Sequence, residues 1–328
     1  MNAPAVDWDL AARIAPRLVR PGPESGWVER VRLVESLRDA ADRALPLAAE
    51  VTGLSAPAAP QTLVVDRAGW TRANVRALSV ATGASADRLR GAGTAMELAA
   101  ALALMSGTVL GQVDPWGGAR PRLMLIAPNL LVAERGMRVP AEDFRLWVAL
   151  HEQTHVLQFA AAPWLAGHLS DRVAALWSMQ AQPRPSDVVA GVRSVVRGAD
   201  WTPLDLLPFE QRVEVERIGA VMSLLEGHAE VAMDAVGPSV IPNVRQLRRR
   251  FGRRRAAAAR VTGLRRVLRS LLGVDVKMAQ YTEGTRFVRH VRRRVGWDGL
   301  NAVWAAPESL PTPEELAAPG DWLRRVHG

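Results

Sequence analysis

The chain has 328 residues, with 48% hydrophobic and 23% charged side chains, which excludes a wholly disordered protein. It contains no cysteine, so disulfide frameworks, thiolate metal sites, iron–sulfur clusters and a cysteine nucleophile are excluded, and any transition metal must be held by His, Asp or Glu. The net charge of +9 is local: residues 245–269 carry eleven Arg and no acidic residue, leaving −2 for the rest.

Met1–Leu18 interrupts its apolar residues with Asp7, Asp9 and Arg13, unlike a signal peptide, and there is no eighteen-residue apolar run. The expectation is a cytoplasmic protein with no membrane partner. Asp7–Glu50 reads as helical, with breaks at Pro21-Gly22-Pro23 and at Pro46. A Pro-bearing linker follows at Gly53–Pro60. Thr62–Val65 is a short β-type run, and Asp66 is placed to cap a helix over Gly69–Val80. Ser85–Met105 is apolar enough to predict a buried helix. Thr108–Val113 and Leu123–Ile126 flank the turn cluster Asp114-Pro115-Trp116-Gly117-Gly118 and predict a hairpin.

Pro140–Ala161 predicts a helix whose apolar residues lie nearly all round, which marks a central, buried element ended by Pro163. Gln180–Pro203 is richer in turn residues. Phe209–Val236 predicts a long helix stopped by Gly237-Pro238, followed by helices over Arg245–Arg269 and Gln280–Val295 and a Pro- and Glu-rich segment at Pro307–Pro319. The expected fold class is mainly α (α+β). It divides into an N-terminal helical segment (1–60), a small sheet with the central helix (61–162) and a helical part (163–328), all in one compact unit.

The polar intrusion in the central helix is His151-Glu152-Gln153-Thr154-His155. Residues four apart share a helix face, so His151 and His155 can hold one metal ion. Glu152 flanks the ion, where it can take a proton from a metal-activated water. A catalytic zinc needs three protein ligands and an open position. The best third candidate is Glu226 in Leu225–Glu230; Glu230, His228, Asp234 or no third ligand are the alternatives. Glu226 and Glu230 lie four apart, so one can ligate while the other accepts the outer N–H of a ligand histidine. Zn2+ is the expected cofactor, although His and carboxylate ligands suit several divalent ions.

Taken together, His151–His155 and Glu226-Gly227-His228-Ala229 resemble the gluzincin type of zinc metallopeptidase. More closely, Val109–Pro115, His151–Phe159 with Pro163-Trp164-Leu165, Leu225–Gly237 and Lys277–Val288 resemble the type 2 zincin-like hydrolases of actinobacteria, a family associated with deazaflavin coenzyme biosynthesis. The resemblance implies a mostly helical zincin fold around one zinc and hydrolase chemistry on a peptide or protein. It implies metal ligands His151, His155 and Glu226, a general base Glu152, and Glu230 beside them. Relatives often carry a Tyr or His that donates to the developing oxyanion; Tyr281, the single tyrosine, or His290 fits that role, and a structural Tyr281 is the alternative. The family's strand before the active helix pairs with substrate. Leu123–Ile126 occupies that place, either as an exposed edge or as an internal strand.

The Arg-rich block at 245–269 is either a solvated helix face, a surface for nucleic acid or an acidic partner, or a selector of acidic substrates near the cleft. Two rival functions therefore stand beside the hydrolase: a catalytically silent binding module of the same fold, and a nucleic-acid-associated protein.

Overall fold

The computed structural model describes residues 5–83, 91–118, 120–179, 207–259 and 274–328. Helices dominate. In chain order they are α1 (Trp8–Leu18), α2 (Trp27–Thr52), α3 (Arg67–Thr82), α4 (Ala92–Met105), α5 (Ala127–Met137), α6 (Ala141–Ala161), α7 (Leu165–Ser178), α8 (Phe209–Ala235), α9 (Val244–Ala259), α10 (Val274–Leu300), α11 (Pro313–Ala317) and α12 (Pro319–His327). Three short strands, β1 (Gln61–Val65), β2 (Gly111–Asp114) and β3 (Arg122–Ile126), form one sheet in the order β1-β3-β2. Mainly α with a small sheet is the class expected from the sequence.

β2 and β3 are the expected antiparallel hairpin, with Gln112 opposite Met124, and β1 runs parallel to β3. The alternatives for Leu123–Ile126 are thereby decided. β3 is the central strand, these four residues are at most 1% exposed, and the edges of the sheet are β1 and β2. Asp66 caps α3 as predicted, its Oδ1 accepting from Gly69 N at 2.6 Å.

Two expectations need correction. α2 continues through Pro46 without a break, because its apolar face (Leu33, Leu37, Ala40, Ala41, Ala44, Ala48) is buried along α6 and tertiary packing outweighs the lost backbone bond. α4 is not buried all round: Ala95, Ala99 and Leu102 face inward, while Met96 and Leu104 are exposed. Gln180–Pro203, where the sequence is richer in turn residues, lies outside the described residues, as do Arg260–Arg269 of the basic block.

The main core lies where α2, α6, α8 and α10 meet, and a smaller one joins α1, α3 and α4 to the sheet through Trp70 and Ile126. α8 and α10 form the most extensive helix contact, and it is a close one. Gly227 of α8 lies against Gly284 of α10, so that a Cβ on Gly227 would fall 2.2 Å from the Gly284 carbonyl carbon, and a Cβ on Gly284 only 1.7 Å from Ser223 O. Backbones can approach this closely only where the side chains are hydrogen. The crossing fixes the height of Glu226, one residue before Gly227, over α6.

Candidate metal centre

α6 is started by Pro140, carries Glu142 and Asp143 in its first turn, where the helix dipole favours acids, and ends before Pro163. It is clamped from two sides. Gln153 Nε2 donates to Ala41 O of α2 at 2.9 Å, and Asp143 accepts from Asn243 Nδ2 at 2.7 Å. Two further polar groups of the helix, His151 and His155, converge with Glu226 of α8 on a single point.

His151 Nε2 lies 3.2 Å from His155 Nε2, and Glu226 Oε2 of α8 is 3.1 Å from the first and 3.9 Å from the second. Three ligand atoms at about 2.05 Å from a tetrahedral ion would be spaced about 3.3 Å apart. Two edges of the observed triangle match that spacing, and the third, between His155 and Glu226, is longer at 3.9 Å. Two imidazole nitrogens and a carboxylate oxygen are thus brought together, a donor set that suits a divalent cation. Among the described residues this is the group of His, Asp and Glu side chains able to hold a metal ion.

Glu152 is 5% exposed, on the side of α6 that meets the sheet edge. It is packed against Gly111 of β2, where a Cβ would sit 2.5 Å from its Cγ and Cδ. Burial pushes its carboxyl up to about 7; the nearby Glu226 adds to the rise and His151 opposes it. A cation at the triangle would pull it back down. Burial likewise holds His155 below the usual imidazole range, with His151 acting in the same direction. It is therefore neutral, as a ligand must be.

The outer nitrogen of His155 is met by Gln158, whose Oε1 lies 2.8 Å from Nδ1. Glu230, expected beside a ligand histidine, accepts from Thr285 Oγ1 at 2.7 Å and pairs with Arg248. His228 does not join the ligands. It is fully buried between the rings of Trp297 and Trp304, and its Nδ1 lies 3.1 Å from Gln158 Nε2. Asp234 pairs with Arg248 as well. The side chain of Tyr281 lies outside the described residues. His290 is half-buried on α10. Residues that sequence reasoning missed are Gln158, Gly111, Gly227 and Gly284. Gln158 had a signal, being one more polar residue on an apolar helix and three past His155.

The described part of the basic block packs on the body. Arg248 stacks over Trp147 while holding Glu230 and Asp234. Arg250 donates to the carbonyls of Met137 (2.6 Å) and Arg138 (2.5 Å), the unpaired C-terminal end of α5. Arg245, Arg249 and Arg253 are exposed. No helix among the described residues is long and apolar enough to cross a membrane.

No curated protein matches the chain significantly. A solved structure from Chloroflexus aurantiacus, described as a "putative hydrolase with a novel fold", superposes with a TM-score of 0.70 at 27% identity, covering 98% of this chain and 99% of its own. The sequence model of the zincin-like metallopeptidases matches residues 6–323. The chain therefore belongs to the zincin-like metallopeptidase family.

Proposed function

We propose that the protein is a zinc-dependent hydrolase acting on peptide bonds, with His151, His155 and Glu226 as metal ligands and Glu152 as general base. The observation that carries the reading is the ligand triangle with a buried glutamate beside it, pressed against the edge of the sheet. A structural metal site has no need of that glutamate.

Bound zinc would supply a Lewis acid and an activated water. Glu152 takes the proton released as the water attacks, holds it on its carboxyl, and delivers it to the departing amine nitrogen. Tyr281 and His290 remain the candidates for stabilising the developing oxyanion.

The peptide part of the reading rests on β2. Ile126 N donates to Leu110 O at 2.9 Å, so 126 and 110 are a hydrogen-bonded pair. Bonded and non-bonded pairs alternate in an antiparallel ladder. Given the register, Gln112 is bonded to Met124, while the N–H and C=O of Gly111 and Val113 point to the free edge. An extended peptide can pair there, one residue from the carbon that Glu152 touches. The sequence had offered Leu123–Ile126 for this role; β2 takes it because β3 is paired on both sides.

The decisive experiment is Glu152→Gln, with zinc content and hydrolysis of a peptide library measured on the same preparation. The expected result is one zinc per chain and turnover reduced by about 10²–10⁴-fold. Hydrolysis at the wild-type rate would remove Glu152 from the mechanism.

A further inference from the structure

Gln158 sits at a junction that the ligands alone do not explain. Its Nε2 lies 2.9 Å from Leu225 O and 3.1 Å from His228 Nδ1, and its Oε1 lies 2.8 Å from His155 Nδ1. Leu225 and His228 are buried, the His155 side chain is 12% exposed, and Gln158 itself is 0% exposed. A backbone carbonyl only accepts, so the atom facing Leu225 O must be the amide NH2. That fixes the other end as the amide oxygen. An amide oxygen only accepts, so His155 Nδ1 must carry the proton. The lone pair of neutral His155 then lies on Nε2, the atom in the metal triangle.

The same logic runs outward. The second N–H of the Gln158 amide points at His228 Nδ1, which therefore accepts, so the proton of neutral His228 is on Nε2. Asn301 faces that nitrogen. Its Nδ2 donates to Thr52 O at 2.8 Å, which leaves Oδ1 as the acceptor end. His228 Nε2 and Asn301 Oδ1 are both fully buried and act on each other, without reaching full hydrogen-bond geometry. Leu225 O on α8 thus sets the direction of the Gln158 amide and, through it, of both imidazoles.

We propose that Gln158 is the positioning residue of the metal centre: held by Leu225 O and His228, it fixes His155 as the Nδ1–H tautomer with its Nε2 lone pair aimed at the metal. The inference rests on the ligand assignment of the proposed function but not on peptidase turnover. A helix surface offers His155 no backbone partner of its own, and a carboxylate at position 158 would meet the Leu225 carbonyl with like charge. An amide, which accepts at one end and donates at the other, satisfies both neighbours. This is a use of second-layer hydrogen bonding to hold a ligand ring, supplied here by the ligand's own helix three residues on.

The test has two arms. The first needs no variant: in wild-type, metal-free protein, long-range ¹⁵N–¹H correlation spectra of the histidine rings report which nitrogen of His155 is protonated. The expected result is Nδ1–H; Nε2–H, or rapid exchange between the two, overturns the proposal. The second compares zinc affinity, by chelator competition with Zn2+ alone, in wild type and Gln158→Met, which keeps volume and removes both polar ends. A 10–100-fold loss is expected, accompanied by a mixed tautomer population at His155. Unchanged affinity in a folded Gln158→Met variant overturns it. Should the wild type bind zinc but hydrolyse no peptide, the peptidase reading fails and this one stands.

Discussion

The two flanks of α6 solve opposite problems. On the sheet side, Glu152 is fitted by shape: Gly111 lacks a side chain and the carboxylate occupies the space that one would fill. On the α8 side, His155 is fitted by hydrogen-bond direction, through Gln158 and the Leu225 carbonyl. The first arrangement leaves a group with raised proton affinity free to exchange its proton. The second denies the ligand that freedom. A hydrolytic centre needs both, a mobile proton on one residue and a fixed lone pair on its neighbour, and a helix supplies them by pointing positions 152 and 155 toward different partners.

The largest expected effect comes from forcing apart the α8–α10 crossing, which carries Glu226. In Gly284→Ala the new Cβ would fall on Ser223 O, so α8 and α10 must part. A loss of about 3 kcal/mol or more is expected in urea unfolding of the metal-free protein. Zinc affinity should fall with it, because Glu226 rides on the displaced helix. Full stability with full zinc binding would show that the crossing does not set the height of the ligand. Gly111→Ala attacks the other flank. Its Cβ displaces the Glu152 carboxylate without touching the triangle, so zinc should remain bound while turnover drops by about 100-fold, the scale of an ångström-sized misplacement. Loss of zinc in this variant would mean that the flanks are not separable.

How much of this was legible in the sequence follows the same division. The pair His151–His155 with Glu152 between them could be read directly because their spacing is a property of one helix, and Glu226 was reached from the need for a third ligand in a chain without cysteine. The Asp66 cap and the hairpin were equally local. What could not be read depends on pairs distant in sequence. Whether Leu123–Ile126 is edge or centre turns on β1, nearly sixty residues earlier, pairing with it. Pro46 suggested a break because the burial of α2 against α6 is invisible locally. Glycine at 111, 227 and 284 has no pattern of its own, and its meaning appears only when the facing backbone or side chain is known. Glu230 was assigned by its four-residue step from Glu226, but position on a face does not say which neighbour answers. Arg248 and Thr285 are among those that do.

That assignment yields a smaller prediction. Glu230→Gln should cost about 1–3 kcal/mol of stability, since it removes a charged partner from Arg248 inside the fold. Its zinc affinity should stay within about threefold of wild type. A 10–100-fold loss of affinity, the scale expected when a ring-orienting partner is removed, would instead return Glu230 to the metal centre and weaken the contrast between its place and that of Gln158.

The smallest effect tests the contrast most directly, because it counts protons. In the metal-free protein the Glu152 carboxyl, raised to about 7 by burial, is roughly half protonated at pH 7. A divalent ion arriving at the triangle lowers its proton affinity, so zinc binding must expel that fraction of a proton. His155, held below its usual range by burial, is already neutral and gives up almost none. Zinc titration calorimetry in buffers of different ionisation enthalpy should therefore show wild type releasing about half a proton more than Glu152→Gln at pH 7. The sign fixes the window: the difference should shrink above pH 8, where Glu152 is ionised before the metal arrives, and grow as the pH falls below 7. Equal release from the two proteins would place the exchangeable proton elsewhere, and the division of labour between the flanks of α6 would have to be redrawn around whichever ligand carries it.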